Sequence, residues 1–377
     1  MKQIPPVDLT RQYKLIKAEA DSAVLDILSS GRYIGGEAIA TFEREFANYI
    51  GVTDCVSCNS GTDALFLALK ALGIGSGDEV ITTSFSFFAT AEVITRVGAK
   101  PVFIDLDLAT FNFDLTSIER AITPKTKAIM PVHLFGQPLD MTKLMEIAKK
   151  HRLYVIEDCA QAAGAAWSDS KIGSIGDVGC FSFFPTKNLG ACGDGGAITT
   201  NDPAIAKQMR ILKEHGSPSR YRHDFVGINS RIDAIQAVIL SIKLPYLDRW
   251  NQQREKAARY YQELLQYVEA LNLPQVLSGG MSVWNQYTVR VEQQSGKDNG
   301  RELLQQKLRE KGVISMIYYP IPLHLQPVYT DLGYQKGQLP RVEQAAREVL
   351  SLPMFPGIST VEQEQVVNAL KDSLLEI

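Results

Sequence analysis

A chain of 377 residues, 45% apolar and 21% charged, has an ordinary globular composition and the length of two domains at about 150 residues each. Its 39 Lys and Arg against 42 Asp and Glu give a net charge of −3, which excludes the clustered basic excess that binding a nucleic-acid backbone demands. Five thinly spread cysteines imply no disulfide framework, residues 1–6 carry no signal-peptide core, and no apolar run reaches about 18 residues, so a cytoplasmic protein with no membrane partner is expected.

Between about residues 50 and 200, short apolar runs alternate with longer helical patterns. Runs at 80–83, 101–105, 128–132, 153–157, 179–183 and 196–200 predict strands, and 62–72, 90–97, 141–151 and 204–213 predict helices. Such alternation implies crossover units and a largely parallel sheet. The strands are apolar throughout, as burial on both faces requires. Beyond 230 the character changes. Residues 232–244 predict a buried helix and 250–271 a long charged one; strand-like 283–291 and 313–319 then alternate with helices near 301–311, 341–350 and 360–375. The expected division is a large domain over 1–248 and a smaller α/β domain over 249–377.

Three segments could carry chemistry. Asn59-Ser60-Gly61-Thr62-Asp63-Ala64-Leu65 stands between a short strand and a helix. Free N–H groups at that helix end suit a phosphate, although a plain N-cap on Ser60 or Thr62 reads equally well. Glu157-Asp158-Cys159-Ala160-Gln161 closes an apolar strand at the edge where open α/β sheets bind ligands. A carboxylate there can hold a cationic ring nitrogen or merely cap a helix. Lys187 follows an aromatic strand and precedes Gly193-Asp194-Gly195-Gly196. A lysine in a partly desolvated pocket forms Schiff bases, whereas most loop lysines are simply solvated. Together on one sheet, the three segments supply the parts a pyridoxal phosphate enzyme needs.

Here the chain becomes recognisable. Ser60-Gly61-Thr62-Asp63-Ala64-Leu65, Glu157-Asp158-Cys159-Ala160-Gln161, Phe181-Ser182-Phe183-Phe184-Pro185-Thr186-Lys187-Asn188 and Gly227-Ile228-Asn229-Ser230-Arg231-Ile232-Asp233 resemble motifs of the DegT/DnrJ/EryC1/StrS family. These are sugar aminotransferases of the fold-type I pyridoxal phosphate class, and the resemblance runs from about residue 5 to beyond 370. It implies an α/β fold: a large domain with a mostly parallel seven-stranded sheet between helices, plus a smaller C-terminal α/β domain. Lys187 would carry the cofactor covalently and serve as the proton-transferring base, and Asp158 would pair with the pyridine nitrogen. Phe87 would stack on the ring, Gln161 would lie near its oxygen, and Gly61, Thr62 and Ser182 would bind the phosphate. Asn229 would reach that phosphate from a neighbouring subunit, which implies a homodimer with shared active sites. Lysine at 187, where some relatives that act as dehydratases carry histidine, favours transamination.

Segment 316–327 resembles the sugar-recognition stretch of 3-aminotransferases, although many of these have His-Tyr-Pro where this chain has Tyr318-Tyr319-Pro320. Tyr318, Tyr319 and His324, with Tyr33 and Arg231, are the substrate-binding candidates. The implied reaction moves an amino group from L-glutamate, through pyridoxamine phosphate, to a nucleotide-diphospho keto sugar. C3 of a dTDP-3-keto-6-deoxyhexose is favoured, with a UDP-linked 3-keto or a 4-keto sugar as alternatives. The rivals are another pyridoxal phosphate chemistry and a non-catalytic regulatory protein that keeps the fold. Cys55 and Cys58 have metal-like spacing, but residues three apart on a strand face opposite ways, so both are expected as buried small hydrophobes. Histidines 133, 151, 215, 223 and 324 show no zinc-ligand spacing, and no metal is expected.

Overall fold

The structure, a computed structural model, describes residues 3–292 and 300–377. Asp8 opens the first helix: its carboxylate accepts from the Thr10 N–H at 3.0 Å and caps α1 (Leu9–Ser30), which Gly31 ends at φ 66°. Helix α2 (Glu37–Ile50) follows and buries Phe42, Phe46 and Ile50. Neither helix is among the predicted elements. In α1 only Gln12, Ile16 and Ala20 are buried, too sparse a stripe for periodicity to mark.

The predicted alternation then begins. In chain order come β1 (Asp54–Cys58), α3 (Gly61–Ala71), β2 (Glu79–Thr83), α4 (Ala89–Arg96), β3 (Lys100–Ile104), α5 (Leu115–Ala121), β4 (Thr126–Met130), α6 (Met141–His151) and β5 (Tyr154–Asp158). A two-strand excursion, β6 (Ala166–Trp167) and β7 (Ser170–Lys171), precedes β8 (Val178–Ser182), β9 (Gly196–Thr200) and α7 (Pro203–Leu212). Seven strands form one sheet in the order β1-β9-β8-β5-β4-β2-β3. Only β9 runs against its neighbours. Each of the six predicted strands lies within two residues of its expected bounds. One face of the sheet packs under Phe42, Phe46, Phe181 and Phe183, and the other under Leu65, Leu67, Val93 and Met209. Both faces are therefore dry, which is why the strands are apolar throughout.

Beyond this sheet, α8 (Ala234–Lys243) leads into α9 (Leu247–Leu265), β10 (Leu271–Asn272), β11 (Gly280–Met281), β12 (Tyr287–Val291), α10 (Gly300–Glu310), α11 (Pro340–Glu348), β13 (Val349–Leu352) and α12 (Thr360–Leu375). Strands β10, β12 and β13 form a small antiparallel sheet, while β11 pairs with β6. Helix α9 joins the two layers: Leu247 belongs to the large core, and Ala257, Tyr261 and Leu265 belong to the small one.

Four predicted bounds need correcting. The strand expected over 283–291 starts at Tyr287, because Trp284 sits at φ 48° and breaks extended geometry. Residues 313–319 form no strand; Val313 and Met316 make isolated bridges to Ile4 and Ser351, and Tyr319 turns at φ 56°. The long helix stops at Leu265, freeing Leu271 to pair with Val291. The helix expected over 341–350 ends at Glu348, where β13 begins. Among the described residues no helix is long and apolar enough to cross a membrane.

The Phe46 ring meets Phe181 edge-on at 5.0 Å and Phe183 at 5.3 Å. Phe46→Ala should therefore lower stability by about 3–5 kcal/mol in urea unfolding followed by fluorescence. A loss under about 1 kcal/mol would mean that α2 is not anchored through this ring.

Candidate active site

At the carboxyl edge of the large sheet, β1, β2, β5 and β8 release the segments that bear the sequence motifs, and a cavity of about 470 Å³ opens among them. Its lining brings together Gly61, Thr62, Phe87, Asp158, Gln161, Ser182, Lys187, Tyr318 and Tyr319.

One wall is the start of α3. Ser60 is its N-cap, accepting from the Asp63 N–H at 3.1 Å. The N–H groups of Gly61 and Thr62 have no acceptor among the described residues. Ser182 adds a hydroxyl that accepts from the Phe184 N–H at 3.3 Å and keeps its own proton to donate. Only glycine fits at 61, since a Cβ there would lie 2.7 Å from Ser182 Cβ. Free donors at the positive end of a helix dipole make an anion cradle.

Opposite lies Asp158, buried at the end of β5. Oδ1 accepts from the Ala160 N–H at 3.2 Å and Oδ2 from Thr90 Oγ1 at 2.9 Å, and Thr90 leans in turn on Ser86 at 2.9 Å. Burial pushes the Asp158 carboxyl pKa up, while those hydrogen bonds and the nearby Lys187 charge hold it down. A buried carboxylate with two donors still lacks a cationic partner.

Lys187 projects from a turn closed by its N–H to Phe184 O at 2.9 Å. Protein walls it in, yet part of its surface remains on the cavity. Burial lowers its amine pKa to about 8 against the opposing pull of Asp158. Asn188 clamps that turn: Nδ2 donates to Asn251 Oδ1 at 2.7 Å and to Val283 O at 2.9 Å, and Oδ1 accepts from Asn285 at 2.8 Å. Phe87, 62% exposed, offers an uncovered flat ring to the cavity. Gln161 Oε1 accepts from the Phe135 N–H at 2.6 Å, and its Nε2 donates to the Tyr319 hydroxyl at 2.9 Å.

Four expected site residues lie elsewhere. His324 is 2% exposed and bonded to Ser84 and Glu343, so it does not line the cavity as a substrate contact would. Tyr33, Asn229 and Arg231 lie outside the lining. Tyr33 O accepts from the Ala234 N–H at 2.8 Å, and Arg231 pairs with Glu214 at 3.3 Å. Ser230, between Asn229 and Arg231, donates to Asn59 Oδ1 at 3.1 Å, which sets both just behind the anion cradle.

Sequence reasoning passed over Ser86 and Thr90, although both stand in the segment that yielded Phe87; hydroxyl residues clustered beyond a strand end were the available signal. It also passed over Gln286 in the cavity wall and the buried pair His133–Glu157 at 3.1 Å. The ligand atoms of His133, Glu157 and Cys159 lie within 4.8 Å of one another. His133 is nevertheless fully committed, with Nδ1 accepting from the Leu139 N–H and Nε2 facing Glu157. Cys55 and Cys58 are buried free thiols whose pKa values burial raises, Cys58 to about 12.

The parts fit one cofactor. An uncovered aromatic ring, an anion cradle that a Cβ at 61 would fill, and an under-partnered carboxylate answer to the flat ring, phosphate and ring nitrogen of pyridoxal phosphate. On this sheet, that site defines a fold-type I pyridoxal-phosphate-dependent transferase. The sequence matches the DegT/DnrJ/EryC1/StrS aminotransferase family over residues 14–371, and the chain belongs to it. It is 47% identical over 371 residues to a pleiotropic regulatory protein of Geobacillus stearothermophilus, with 98% of both chains covered. It is 45% identical over 367 residues to the dTDP-3-amino-3,6-dideoxy-alpha-D-galactopyranose transaminase of Aneurinibacillus thermoaerophilus, covering 97% of this chain and 98% of that one. The X-ray crystal structure of S. venezuelae DesV in complex with a ketimine intermediate matches at a TM-score of 0.95, with 40% identity and 100% of each chain covered. Further relatives are named as transaminases of dTDP- and UDP-linked sugars. The chain is accordingly a pyridoxal-phosphate-dependent aminotransferase of nucleotide-linked keto sugars.

With the Lys187 amine at about 8, cofactor-free protein should take up pyridoxal phosphate at a rate set by the neutral amine. That rate should rise about tenfold per pH unit below the amine's pKa and level off above it. An ordinary lysine would keep the rate climbing past about pH 10. Stopped-flow absorbance across this range checks it, and continued climbing above about pH 9 would show that burial does not tune Lys187.

Proposed function

We propose that the amino donor is L-glutamate and that the acceptor is C3 of a nucleotide-linked 3-keto sugar, a dTDP-3-keto-6-deoxyhexose ahead of a UDP-linked one. The observation that carries the reading is one cavity in which a half-buried, pKa-lowered lysine and a buried carboxylate face a polar wall of Gln161, Tyr318 and Tyr319. The names of relatives acting at C3 support the position, as does the likeness of segment 316–327 to 3-aminotransferases.

When bound, pyridoxal phosphate supplies an aldehyde to carry the nitrogen and a ring that accepts the electron pair released as the substrate carbon loses its proton. Lys187 Nζ, in the neutral form that burial favours, is the nucleophile. With the donor nitrogen carried by the cofactor, the free Lys187 amine would be the base that removes and returns protons at the carbon bearing nitrogen. Asp158, oriented by Thr90 and Ala160, keeps the ring nitrogen protonated. The Gly61 and Thr62 N–H groups and the Ser182 hydroxyl hold the phosphate. Phe87 supplies the stacking face. Gln161 is engaged at both ends, which leaves one Nε2 proton for the ring oxygen.

The active unit in this reading is a homodimer. Exposed apolar residues lie near Tyr33, Asn229 and Arg231 in the chain, Ile34 at 54% next to Tyr33, and Tyr221 at 85% and Val226 at 92% shortly before Asn229, a surface that a second copy would cover. Across that interface Asn229 would complete the phosphate site, and Arg231 would meet the sugar's diphosphate. A regulatory role takes support from the name of the Geobacillus relative. Retention of both Lys187 and Asp158 in one cavity favours turnover.

Absorbance of the loaded protein separates these readings. L-glutamate should bleach the yellow form, a dTDP-linked 3-keto-6-deoxyhexose should restore it, and Lys187→Ala should never acquire the covalently bound form. Asp158→Asn should lower turnover by at least about 100-fold, the scale for losing a preorganised charge at a reacting centre. A yellow protein indifferent to glutamate would refute the donor assignment. For the dimer, Lys187→Ala co-expressed with an Asn229→Ala, Arg231→Ala double variant should recover about a quarter of wild-type activity, as random pairing about a two-fold axis requires. No recovery would mean that these residues serve their own subunit.

A further inference from the structure

We propose that Ser84, His324 and Glu343 form a buried latch that pins the sugar-facing wall of the cavity to the sheet, making His324 a positioning residue for the sugar half of the reaction. The proposal rests on reading Tyr318 and Tyr319 as that wall. The latch joins two segments 240 residues apart in the chain: the loop after β2 that runs from Ser84 to Phe87, and the strap that carries Tyr318, Tyr319 and His324.

Ser84 Oγ accepts from the His324 N–H at 2.9 Å and lies 2.6 Å from His324 Nδ1. The Leu323 N–H donates to Ser84 O at 2.8 Å and closes the junction. His324 Nε2 faces Glu343 Oε1 at 3.4 Å, and that same oxygen accepts from the Gly337 N–H at 2.6 Å. Burial lowers the His324 pKa and so favours the neutral ring; with Nε2 facing a carboxylate, that form carries its proton on Nε2 and accepts from the Ser84 hydroxyl at Nδ1. All three side chains are buried.

Serine, histidine and glutamate in this order resemble a hydrolase triad. Ser84, however, is sealed from solvent and lies outside the cavity lining. The constellation joins two segments and has no access to a substrate.

What it joins determines its effect. Tyr319 is held at φ 56°, a region costly for a tyrosine. Its ring packs edge-on to Phe85 at 5.6 Å and against Phe135 at 6.3 Å, and its hydroxyl meets Gln161. Phe85 directly follows Ser84, so loosening the latch loosens the packing that holds Tyr319 in place. Lys187, Asp158 and the α3 cradle stand on other elements and share no hydrogen bond with Ser84, His324 or Glu343 among the described residues. Ser86 and Phe87 follow Ser84 on the same loop but have their own ties to Thr90 and the cavity, so the sugar half-reaction should suffer more than the glutamate half.

The test uses the loaded enzyme, with L-glutamate alone for one half-reaction and a dTDP-linked 3-keto-6-deoxyhexose for the other. His324→Ala should raise the sugar KM about tenfold, the effect of one or two lost hydrogen bonds. The single-turnover rate with glutamate should stay within about twofold of wild type. His324→Asn restores an acceptor for the Ser84 hydroxyl and should recover most of the loss. Ser84→Ala gives the same reading should His324→Ala not fold. Equal losses in both halves, or an unchanged sugar KM in a folded variant, overturn the latch. Tyr318→Phe and Tyr319→Phe separate the two readings. If they leave the sugar KM unchanged, the wall assignment fails; if they raise it while the latch variants do not, the latch alone fails.

Discussion

The active-site edge depends on a carboxylate that never meets the substrate. Glu157 is fully buried, and four donors converge on its two oxygens. These are the N–H groups of Ile175 at 3.0 Å and Gly176 at 2.7 Å on one oxygen, and the Gly173 N–H at 3.0 Å with His133 Nε2 at 3.1 Å on the other. Glycine is forced at 176, where a Cβ would lie 2.7 Å from Val155 O. Through His133, whose Nδ1 accepts from the Leu139 N–H, the same carboxylate fixes the loop after β4. That loop carries Phe135, whose N–H sets Gln161. Asp158, the next residue, and Gln161, set through His133 and Phe135, both rest on this carboxylate.

On this frame the charges of Asp158 and Lys187 are balanced by burial. Desolvation raises the Asp158 pKa and lowers that of Lys187, so each is pushed toward neutrality and restrained by the other. Among the described residues they form no direct ion pair within 4.0 Å; both face the cavity instead. A tight pair would have held the amine protonated, quenching it as a nucleophile, and would already have given the carboxylate its cationic partner. Separation across a cavity keeps the amine partly neutral near pH 8 and leaves the carboxylate one partner short. Both conditions suit a cofactor that brings an aldehyde for one and a cationic nitrogen for the other.

Legibility in the sequence followed locality. The strands could be read because burial on both faces makes each an uninterrupted apolar run. Gly61, Asp158 and Lys187 could be read because the residues that give them meaning are their immediate neighbours. Helix α1 escaped because so little of it is buried in this chain. The 313–319 segment misled because an apolar strap crossing between layers has the composition of a strand without a ladder to join. His324 was placed in the substrate site by motif likeness. Its partner Ser84 lies 240 residues away, and no spacing rule connects the two. Asn229 and Arg231 were named for roles across a subunit interface, and Tyr33 for the substrate cleft.

The two halves of the cavity are built from different materials. The cofactor-facing half rests on backbone: the α3 N–H groups, the end of β5, and glycines at 61, 176 and 190 that admit no side chain, with a Cβ at 190 falling 2.3 Å from Pro185 O. Substitution there meets main-chain atoms that cannot move aside. The sugar-facing half rests on side chains carried by a strap that is tied down at a few points: Tyr319 to Gln161, His324 to Ser84 and Glu343. A residue such as Tyr318 can change between relatives without disturbing the ties on either side of it. On the proposed reading of this strap as the sugar wall, the cofactor-facing half can stay constant while the sugar varies, because the strap's anchors are separable from its face. Discrimination among sugars that differ by one hydroxyl or methyl is worth only about 1–3 kcal/mol in an apolar pocket. A wall of hydroxyl and amide groups held in fixed positions discriminates further, since a mismatched sugar leaves buried polar groups unpaired.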